Sequence, residues 1–279
     1  MAVITIGDYR LTTLEFGQFK LDGGAMFGVV PRVLWSRFHP PDENNQIEMA
    51  LRCLLVEGNG RKILVDTGFG LERTQRFRDM YAYTGSDDYL TEGLATVGLA
   101  KDDITDVFLT HLHFDHCGGS TLLDNGVRRP AFPKARYHYQ LKQLEHARER
   151  FERDKASYFP DDFEPPINAG QAVIHDGSFE LLPGIDTVIC HGHTPSMQLL
   201  RVRAEGKTAI YGADLIPLAS QFPLPWIMAY DLYPVTTLEE KRRILNEAAR
   251  DGWTFIFEHD PVHVFGQVIQ TDRGFSLKP

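Results

Sequence analysis

The chain has 279 residues, and 43% of them are hydrophobic, which is enough to bury a sizeable core. Its formal net charge of −9 argues against a nucleic-acid partner, because such binding depends on clustered lysine and arginine side chains. No segment reaches the roughly 18 to 20 apolar residues that span a bilayer, so we expect no membrane insertion.

The N-terminus and the cysteines indicate a cytoplasmic protein. Gly7 and Asp8 interrupt the first apolar run, and no basic residues precede it, so we expect no secretory signal. Cys53, Cys117 and Cys190 are odd in number and lack a CxxC pair, which favours neither a disulfide framework nor a cysteine zinc site.

Short apolar runs that end in polar clusters recur along the chain and predict buried β-strands. They are "KILVDTG" (62–68), "VFLTHLHFDH" (107–116), "DTVICHGHT" (186–194), "TAIYGAD" (208–214) and "TFIFEHD" (254–260). Runs of this length that are rich in Val, Ile, Phe and Leu are typical of strands rather than helices.

Three segments between these runs have apolar residues at helical spacing and predict helices over 87–99, 139–158 and 236–253. In the third, Thr236 with Glu239 and Thr237 with Glu240 form overlapping capping boxes, and Gly252 marks the end. Strands that alternate with helices predict a layered α/β domain.

Two segments rich in proline and aromatic residues, 23–49 and 215–235, lack clean periodicity and are predicted to be long ordered loops. They either pack over the core or form a cap that walls a substrate pocket. The apolar residues of 215–235 fit the surface of a homodimer as readily as a pocket wall.

The motif HLHFDH at 111–116 suggests metal chemistry. In an extended segment alternate side chains point the same way, so His111 and His113 can converge on one ion while Asp115 and His116 face a second position. Imidazole and carboxylate suit zinc and similar divalent ions, and the absence of cysteine favours a catalytic site over a closed structural one.

Further candidate ligands follow later strands. They are His191 and His193 after "TVIC", Asp214 after "AIYG" and His259 after "FIFE". Active sites of α/β sheets gather at the carboxyl ends of strands, so these distant positions can meet in one crevice.

HxHxDH at 111–116, followed by a GHT-type histidine at 193, Asp214 and His259, resembles the metallo-β-lactamase superfamily over about residues 50 to 260. The resemblance implies a four-layer αββα sandwich, two sheets face to face with helices outside. We expect residues 1–279 to form a single domain of this fold. "VDTG" at 65–68 is similar to the family's early strand-and-turn motif.

The resemblance also implies two divalent metal ions held by seven side chains. The first ion is assigned to His111, His113 and His193, and the second to Asp115, His116 and His259, with Asp214 bridging them. Zinc is the expected metal, and manganese, iron and cobalt use similar ligands. Asp66 resembles the aspartate that orients the metal-binding loop, and His191 is interpreted as a supporting group or simply a strand-end residue.

Two divalent ions, offset by two aspartates and a bridging hydroxide, leave a net charge of about +1. Such a centre favours attack by hydroxide on a carbonyl or phosphoryl group. In the family that the chain resembles, the aspartate at the place of Asp115 is also suited to move a proton towards the leaving group, so the resemblance implies that Asp115 is the candidate catalytic residue.

The motif narrows the choice of relatives. Diiron flavoproteins carry a glutamate where this chain has His113, and β-lactam hydrolases proper lack the bridging aspartate. The remaining relatives are quorum-quenching lactonases, methyl parathion hydrolases and glyoxalase-type thioester hydrolases. We expect hydrolysis of a lactone or related ester; phosphotriester or phosphodiester hydrolysis, thioester hydrolysis and non-catalytic metal binding are the alternatives.

The substrate pocket is the least determined feature. Well-understood lactonases place a tyrosine three residues after the bridging aspartate, where this chain has Pro217. We therefore expect no strict need for a tyrosine at that point, and Tyr211, Tyr230 or Tyr233 could reach the site from a different direction. The residues predicted to line the pocket are Phe27, Trp35, Phe38, Tyr211, Phe222, Trp226 and Tyr230.

Overall fold

Two mixed β-sheets of seven strands each form the centre of the computed structural model, which describes residues 1–272 and 274–278. In chain order the strands are β1 (Val3–Ile6), β2 (Tyr9–Asp22), β3 (Gln46–Gly58), β4 (Arg61–Val65), β5 (Asp106–Phe108), β6 (Thr121–Asp124), β7 (Val127–Pro130), β8 (Arg136–Gln140), β9 (Ala172–His175), β10 (Glu180–Leu182), β11 (Ile185–Cys190), β12 (Met197–Ala204), β13 (Lys207–Tyr211), β14 (Thr254–Ile256), β15 (Phe265–Thr271) and β16 (Gly274–Leu277). The helices are α1 (Gly23–Phe27), α2 (Arg32–Trp35), α3 (Gln75–Met80), α4 (Tyr89–Ala95), α5 (Phe114–Cys117), α6 (Leu141–Glu149), α7 (Pro160–Asn168) and α8 (Pro234–Asp251).

The order of the strands brings the ends of distant segments together. The first sheet runs β1-β2-β3-β4-β5-β8-β9, the second runs from β10 to β16 in sequence, and β6 and β7 form a separate hairpin. In the first sheet β4 and β5 are parallel, and in the second β13 and β14 are parallel. Each parallel pair therefore ends at one edge of its sheet, which places the segments that follow side by side.

Alternating side chains on the strands separate two hydrophobic cores. In β3, Leu54 and Val56 pack in the core shared with the second sheet, whereas Cys53 and Leu55 pack in the core under α4, α6 and α7. On the far side of the second sheet, α8 contributes Ile244 and other residues to the core. The layers therefore follow the order helix, sheet, sheet, helix, and the predicted αββα sandwich is confirmed.

All five predicted strand segments contain a strand, but the helix predictions needed correction. Helix α8 ends before Gly252, which has a positive φ of 65°, as expected. It begins at Pro234, however, so the predicted capping boxes at Thr236 and Thr237 are wrong, because both threonines lie inside the first turn. Glu240 instead accepts hydrogen bonds from the backbone N–H groups of His191 and Gly192.

The other predicted segments are shorter or more regular than expected. The helix predicted over 139–158 covers only Leu141–Glu149, because the preceding residues complete β8 and Arg150 adopts a left-handed conformation with φ 58°. The helix predicted over 87–99 covers Tyr89–Ala95. Segment 23–49 contains α1, α2 and the start of β3, whereas 215–235 has little regular structure before α8 begins.

A buried lysine on helix α8 holds the 215–235 segment against that helix. Lys241 on α8 is 1% exposed, and its ammonium donates to the backbone carbonyls of Gln221 and Trp226 at 2.7 Å each and of Pro223 at 3.1 Å. The Gln221 side chain in turn donates to the Met26 carbonyl in α1 at 2.7 Å. The segment is thus held from both sides.

None of the helices in the described part of the chain combines the length and the hydropathy that a bilayer-spanning segment needs.

We predict that Lys241→Met lowers the free energy of unfolding by about 3 kcal/mol, because several buried carbonyl oxygens lose their donor. Urea denaturation followed by circular dichroism measures this. Lys207→Met, at an exposed position of β13, is the matched control and should change the free energy of unfolding by less than about 0.5 kcal/mol. Equal effects of the two substitutions would contradict the role given to Lys241.

Candidate metal centre and substrate cavity

The motif HLHFDH follows β5 and runs into α5, so that its first half is extended and its second half helical. The segment stays extended through His113, which precedes the first turn of α5, and this places His111 Nε2 only 3.0 Å from His113 Nδ1. Asp115 and His116 then lie within α5 and belong, with His259, to a second group, although the His116 ring lies only 3.9 Å from that of His111. The two halves of the motif therefore contribute to two adjoining groups of side chains.

The two glycines after the motif allow backbone to pack against backbone. A Cβ at Gly118 would collide with the backbone of Phe69, and one at Gly119 with the carbonyl oxygen of Thr67. The turn is further joined to the loop after β4 by a bridge between Gly68 and Cys117. This close approach requires glycine and brings Asp66 within reach of the motif.

Seven buried side chains converge in two groups, and within each group one candidate ligand atom per residue lies within 4.8 Å of the others. The first group comprises His111, His113, His193 and Asp214, and the second comprises Asp115, His116 and His259. None of the seven is more than 8% exposed. These are the seven predicted metal ligands, brought together from four separate strand ends.

Asp214 lies between the two groups. Its Oδ2 is 3.3 Å from His193 Nε2, and its Oδ1 is 3.3 Å from His259 Nε2 and 3.5 Å from His116 Nε2. One oxygen therefore faces each group. This is the position that a bridging carboxylate would occupy.

Hydrogen bonds behind the histidines orient their rings. Asp66 accepts from His116 Nδ1 at 3.0 Å and from both the backbone and the hydroxyl of Thr110 at 2.7 Å. His193 Nδ1 lies 2.8 Å from Asp231 Oδ1, and His259 Nδ1 lies 2.9 Å from the carbonyl oxygen of Ala50. With Nδ1 engaged in this way, the Nε2 atoms face the centre, which is how metal-binding histidines are usually held.

The arrangement of donor atoms fits divalent cations. His116 and His259 use their Nδ1 atoms for Asp66 and Ala50, so their Nε2 atoms face the centre and lie 3.3 Å apart. Asp214 Oδ1 is buried and forms no hydrogen bond within the described residues. A divalent cation between these atoms would take the place of a proton on the two nitrogens and would also bind the carboxylate, and nitrogen and oxygen ligands of this kind suit zinc.

The charges of the histidines depend on their neighbours. Burial, reinforced by the adjacent histidines, holds the pKa values of His111 and His113 well below the usual range, so both rings are neutral and available as ligands. Burial also disfavours the charge of His259, but the Asp214 carboxylate, whose Oδ1 lies 3.3 Å from His259 Nε2, outweighs burial and raises the pKa of His259 to about 9.

Two supporting carboxylates were not predicted from the sequence. Asp231 holds His193, and Glu258, which is fully buried, places Oε2 3.1 Å from the same His116 Nδ1 that bonds Asp66. Burial raises the pKa of Glu258 to about 8. In the sequence, the only sign of a role for Glu258 is its position directly before His259, and no sequence feature marks Asp231.

A cavity of about 440 Å³ lies over the centre and is lined by five of the seven candidate ligands. This size is typical of pockets for small molecules. The other lining residues are Leu21, Met26, Tyr81, Phe114, Arg153, Asp154, Ala156, Ser157, Met228, Ala229 and Tyr230. Residues 153–157 fall where the sequence predicted the second half of a helix, so their role in the wall was not foreseen.

Of the seven residues predicted to line the pocket, Tyr230 lies in this cavity and the other six do not. Trp35 stacks on Phe27, and Trp226 packs edge-on against both Phe27 and Phe38. These aromatic rings pack with one another beside the cavity. Tyr211 is buried and donates to the Arg52 carbonyl at 2.7 Å, and Phe222 packs against Phe255 and Phe257.

His191 lies outside both groups. Its side chain is exposed, and its Nδ1 accepts a hydrogen bond from the backbone N–H of Ser196 at 3.2 Å. The structure therefore places it in the loop that carries His193 rather than at the centre.

The sequence profile of the Metallo-beta-lactamase superfamily matches residues 52–259 of the chain. An N-acyl homoserine lactonase from Bacillus cereus is 28% identical over 173 residues, which cover 58% of this chain and 61% of that protein. The chain thus spans about three fifths of that relative. An N-acyl homoserine lactonase from a Bacillus species is 27% identical over 249 residues, 84% of this chain and 87% of that protein.

Solved structures share the fold over nearly the full chain. A probable metal-dependent hydrolase from Staphylococcus aureus superimposes with a TM-score of 0.89 at 26% identity, covering 99% of each chain. AidC, a dizinc quorum-quenching lactonase solved with its product N-hexanoyl-L-homoserine, superimposes with a TM-score of 0.81 at 22% identity, covering 100% of this chain and 96% of its own.

We predict that protein stripped of metal loses stability as the pH rises from 6.5 to 9. The pKa of His259 is raised on folding, so its contribution is complete below about 6.5 and is lost as the pH passes through about 9. The expected loss is about 2 to 3 kcal/mol, measured by urea denaturation at several pH values. His259→Asn should flatten this dependence, and an unchanged slope in that variant would contradict the assignment.

Proposed function

Because this chain belongs to the metallo-beta-lactamase superfamily, we propose that it is a dinuclear metal-dependent hydrolase that opens a lactone or a related carboxylic ester. The position of Asp214 carries the proposal, since its two oxygens face two adjoining groups of buried nitrogen and oxygen donors. Paired metal sites of this kind are typical of hydrolytic centres. The similar N-acyl homoserine lactonases favour a lactone.

Seven side chains would hold the metals, which we propose to be zinc, with Asp214 shared between the two positions. When bound, the ions supply Lewis acidity that activates water and stabilises negative charge on the scissile carbonyl. The protein keeps these side chains buried and oriented, so little reorganisation is needed as charge develops.

Asp115 is proposed to serve both as a ligand and in proton transfer. It lines the cavity, and its Oδ2 lies 3.9 Å from His259 Nε2 and 4.0 Å from His116 Nε2. When a lactone ring opens, the attacking water releases a proton and the leaving oxygen takes one up, and a carboxylate that faces both the centre and the cavity is placed to carry the proton from one to the other.

Tyr230 is proposed to replace the tyrosine that is missing at Pro217. It lines the cavity, and its hydroxyl forms no hydrogen bond within the described residues, whereas the Tyr211 hydroxyl is bonded to the Arg52 carbonyl. Partial burial and the nearby carboxylates raise the pKa of Tyr230, so it stays protonated at neutral pH. It can then donate to the carbonyl oxygen of the substrate.

Phosphodiester or phosphotriester hydrolysis is the second candidate function. The guanidinium of Arg153 in the cavity wall favours it, because guanidinium groups bind phosphoryl oxygens well. Activity assays with both substrate classes separate the two candidates.

We propose that the protein acts on small molecules in the cytoplasm. Its three cysteines are buried and free, which suits a reducing compartment. If the substrate is an acyl-homoserine lactone, hydrolysis would remove a bacterial signal, which is quorum quenching.

We predict that the zinc-loaded protein hydrolyses N-hexanoyl-homoserine lactone. Asp115→Ala and His113→Ala should each lower kcat/KM by at least about 100-fold, because each substitution removes a metal ligand. Asp115→Ala also removes the proposed proton carrier. A pH-indicator assay measures the rate, and elemental analysis measures zinc per chain. His191→Ala, an exposed histidine two residues from His193, is the matched control and should retain two zinc ions and normal rates. Near-normal rates in the first two variants would exclude the proposed centre.

We further predict that Tyr230→Phe lowers kcat by about 100-fold while zinc content stays unchanged, because only the hydroxyl donor to the developing oxyanion is lost. Tyr233→Phe serves as the control, since Tyr233 is 51% exposed and lies outside the cavity. If Tyr230→Phe retains full kcat, another group polarises the carbonyl.

A further inference from the structure

Arg153 joins two parts of the cavity wall, and we propose that it is a positioning residue that holds Tyr230 at the metal centre. One of its terminal nitrogens donates to the carbonyl oxygen of Ala229 at 2.7 Å, and all three residues line the cavity. The inference rests on the proposed function, in which the Tyr230 hydroxyl polarises the carbonyl group of the substrate. It gives a role in that step to a residue that does not itself touch the reacting atoms.

Tyr230 depends on its backbone for its position. Its side chain is exposed, and its hydroxyl forms no hydrogen bond in the part of the chain that the structure describes. The hydroxyl is therefore free to meet a substrate, but no hydrogen bond of the side chain itself fixes the ring. The neighbouring residues Ala229 and Asp231 then set where the hydroxyl lies.

Asp231, on one side of Tyr230, is anchored to the metal centre. Its Oδ1 lies 2.8 Å from His193 Nδ1, and the backbone N–H of the next residue, Leu232, donates to the His193 carbonyl oxygen at 3.1 Å. A candidate metal ligand thus fixes this end of the segment. A substitution of Asp231 would disturb that ligand as well as Tyr230.

Ala229, on the other side of Tyr230, is held through both of its backbone polar groups. Its N–H donates to the carbonyl oxygen of Ala25 in α1 at 2.8 Å, and its carbonyl oxygen accepts from Arg153. Helix α1 approaches this segment so closely that a Cβ at Gly28 would lie 2.5 Å from the Ile227 carbonyl oxygen. Of these contacts, the one from Arg153 can be removed without altering α1 or a candidate metal ligand.

The carbonyl group that Arg153 binds belongs to the peptide that ends at the Tyr230 Cα. Because a peptide group is planar, fixing its oxygen also fixes the direction in which the Tyr230 side chain leaves the backbone. A hydrogen bond from a charged donor is stronger than one between neutral groups. Misplacement of a reacting group by about 1 Å can lower a rate by about 100-fold, so we expect Arg153 to act on kcat through Tyr230.

Two other roles for Arg153 would give different results. If its guanidinium bound the substrate directly, its loss would raise KM and would be as damaging without the Tyr230 hydroxyl as with it. If its hydrogen bond only stabilised the surface, its loss would change neither kinetic constant. A double-mutant cycle between Arg153 and Tyr230 separates both cases from positioning, because residues that act together on one step give non-additive losses.

The cycle is measured with zinc-loaded protein and N-hexanoyl-homoserine lactone. We expect Arg153→Met to lower kcat about fivefold, the loss of one hydrogen bond, with KM changed by less than about twofold. In the Tyr230→Phe background the same substitution should change kcat by less than about 1.5-fold. Arg153→Lys keeps a charged donor and should lose less activity than Arg153→Met. Lys155→Met removes an exposed positive charge from the same segment, outside the cavity, and is the matched control.

Hydrogen exchange measures the same anchor without activity. Exchange of the Ala229 amide should be about fivefold faster in Arg153→Met than in wild type, whereas the Leu232 amide, which is bonded to the His193 carbonyl, should be unchanged. Unchanged exchange at Ala229, an unchanged kcat, a rise in KM, or an equal loss of kcat in both Tyr230 backgrounds would overturn the positioning role. If wild type does not hydrolyse the lactone, the proposed function fails, and the exchange rates alone decide whether Arg153 holds the segment.

Discussion

The site depends on holding seven ionisable side chains together out of water. Such a cluster is unfavourable unless each group has a partner, because burial penalises charge and facing lone pairs repel. The fold supplies part of the solution through Asp66, Asp231 and the Ala50 carbonyl, which orient three of the histidines from behind. Divalent cations would supply the rest, because Asp214 Oδ1 forms no hydrogen bond within the part of the chain that the structure describes and lies among the candidate ligand nitrogens.

Sheet topology makes this cluster possible. Parallel pairing of β4 with β5 and of β13 with β14 delivers the segments after these strands to one edge of the sandwich. Gly118 and Gly119 then let the HLHFDH turn approach the loop after β4 closely enough for Asp66 to reach His116. The cavity wall is built differently, from irregular segments that are held by individual hydrogen bonds such as those of Lys241 and Arg153.

The sequence predicted the strands that carry the candidate ligands better than it predicted the cavity wall. The strands and the αββα order were predicted correctly because short apolar runs and strand-end polar clusters are local signals. The capping boxes of α8 and the long helix over 139–158 were wrong because tertiary contacts set where those elements begin and end: Glu240 supports the His193 loop, and residues 153–157 line the cavity. The aromatic residues around Trp35 and Trp226 resembled a pocket in sequence but pack on one another.

The sequence by itself determined the set of candidate metal ligands, because HxHxDH, His193, Asp214 and His259 are recognisable by residue type and spacing. Only the tertiary structure decided that Asp214 faces both groups, that Glu258 and Asp231 support the histidines, and that Tyr230, Arg153 and Asp154 rather than Phe27 or Phe222 line the cavity. The physical reason is that a ligand set is encoded in a few short segments, whereas a cavity wall is made by residues that are distant in sequence and carry no pattern of their own.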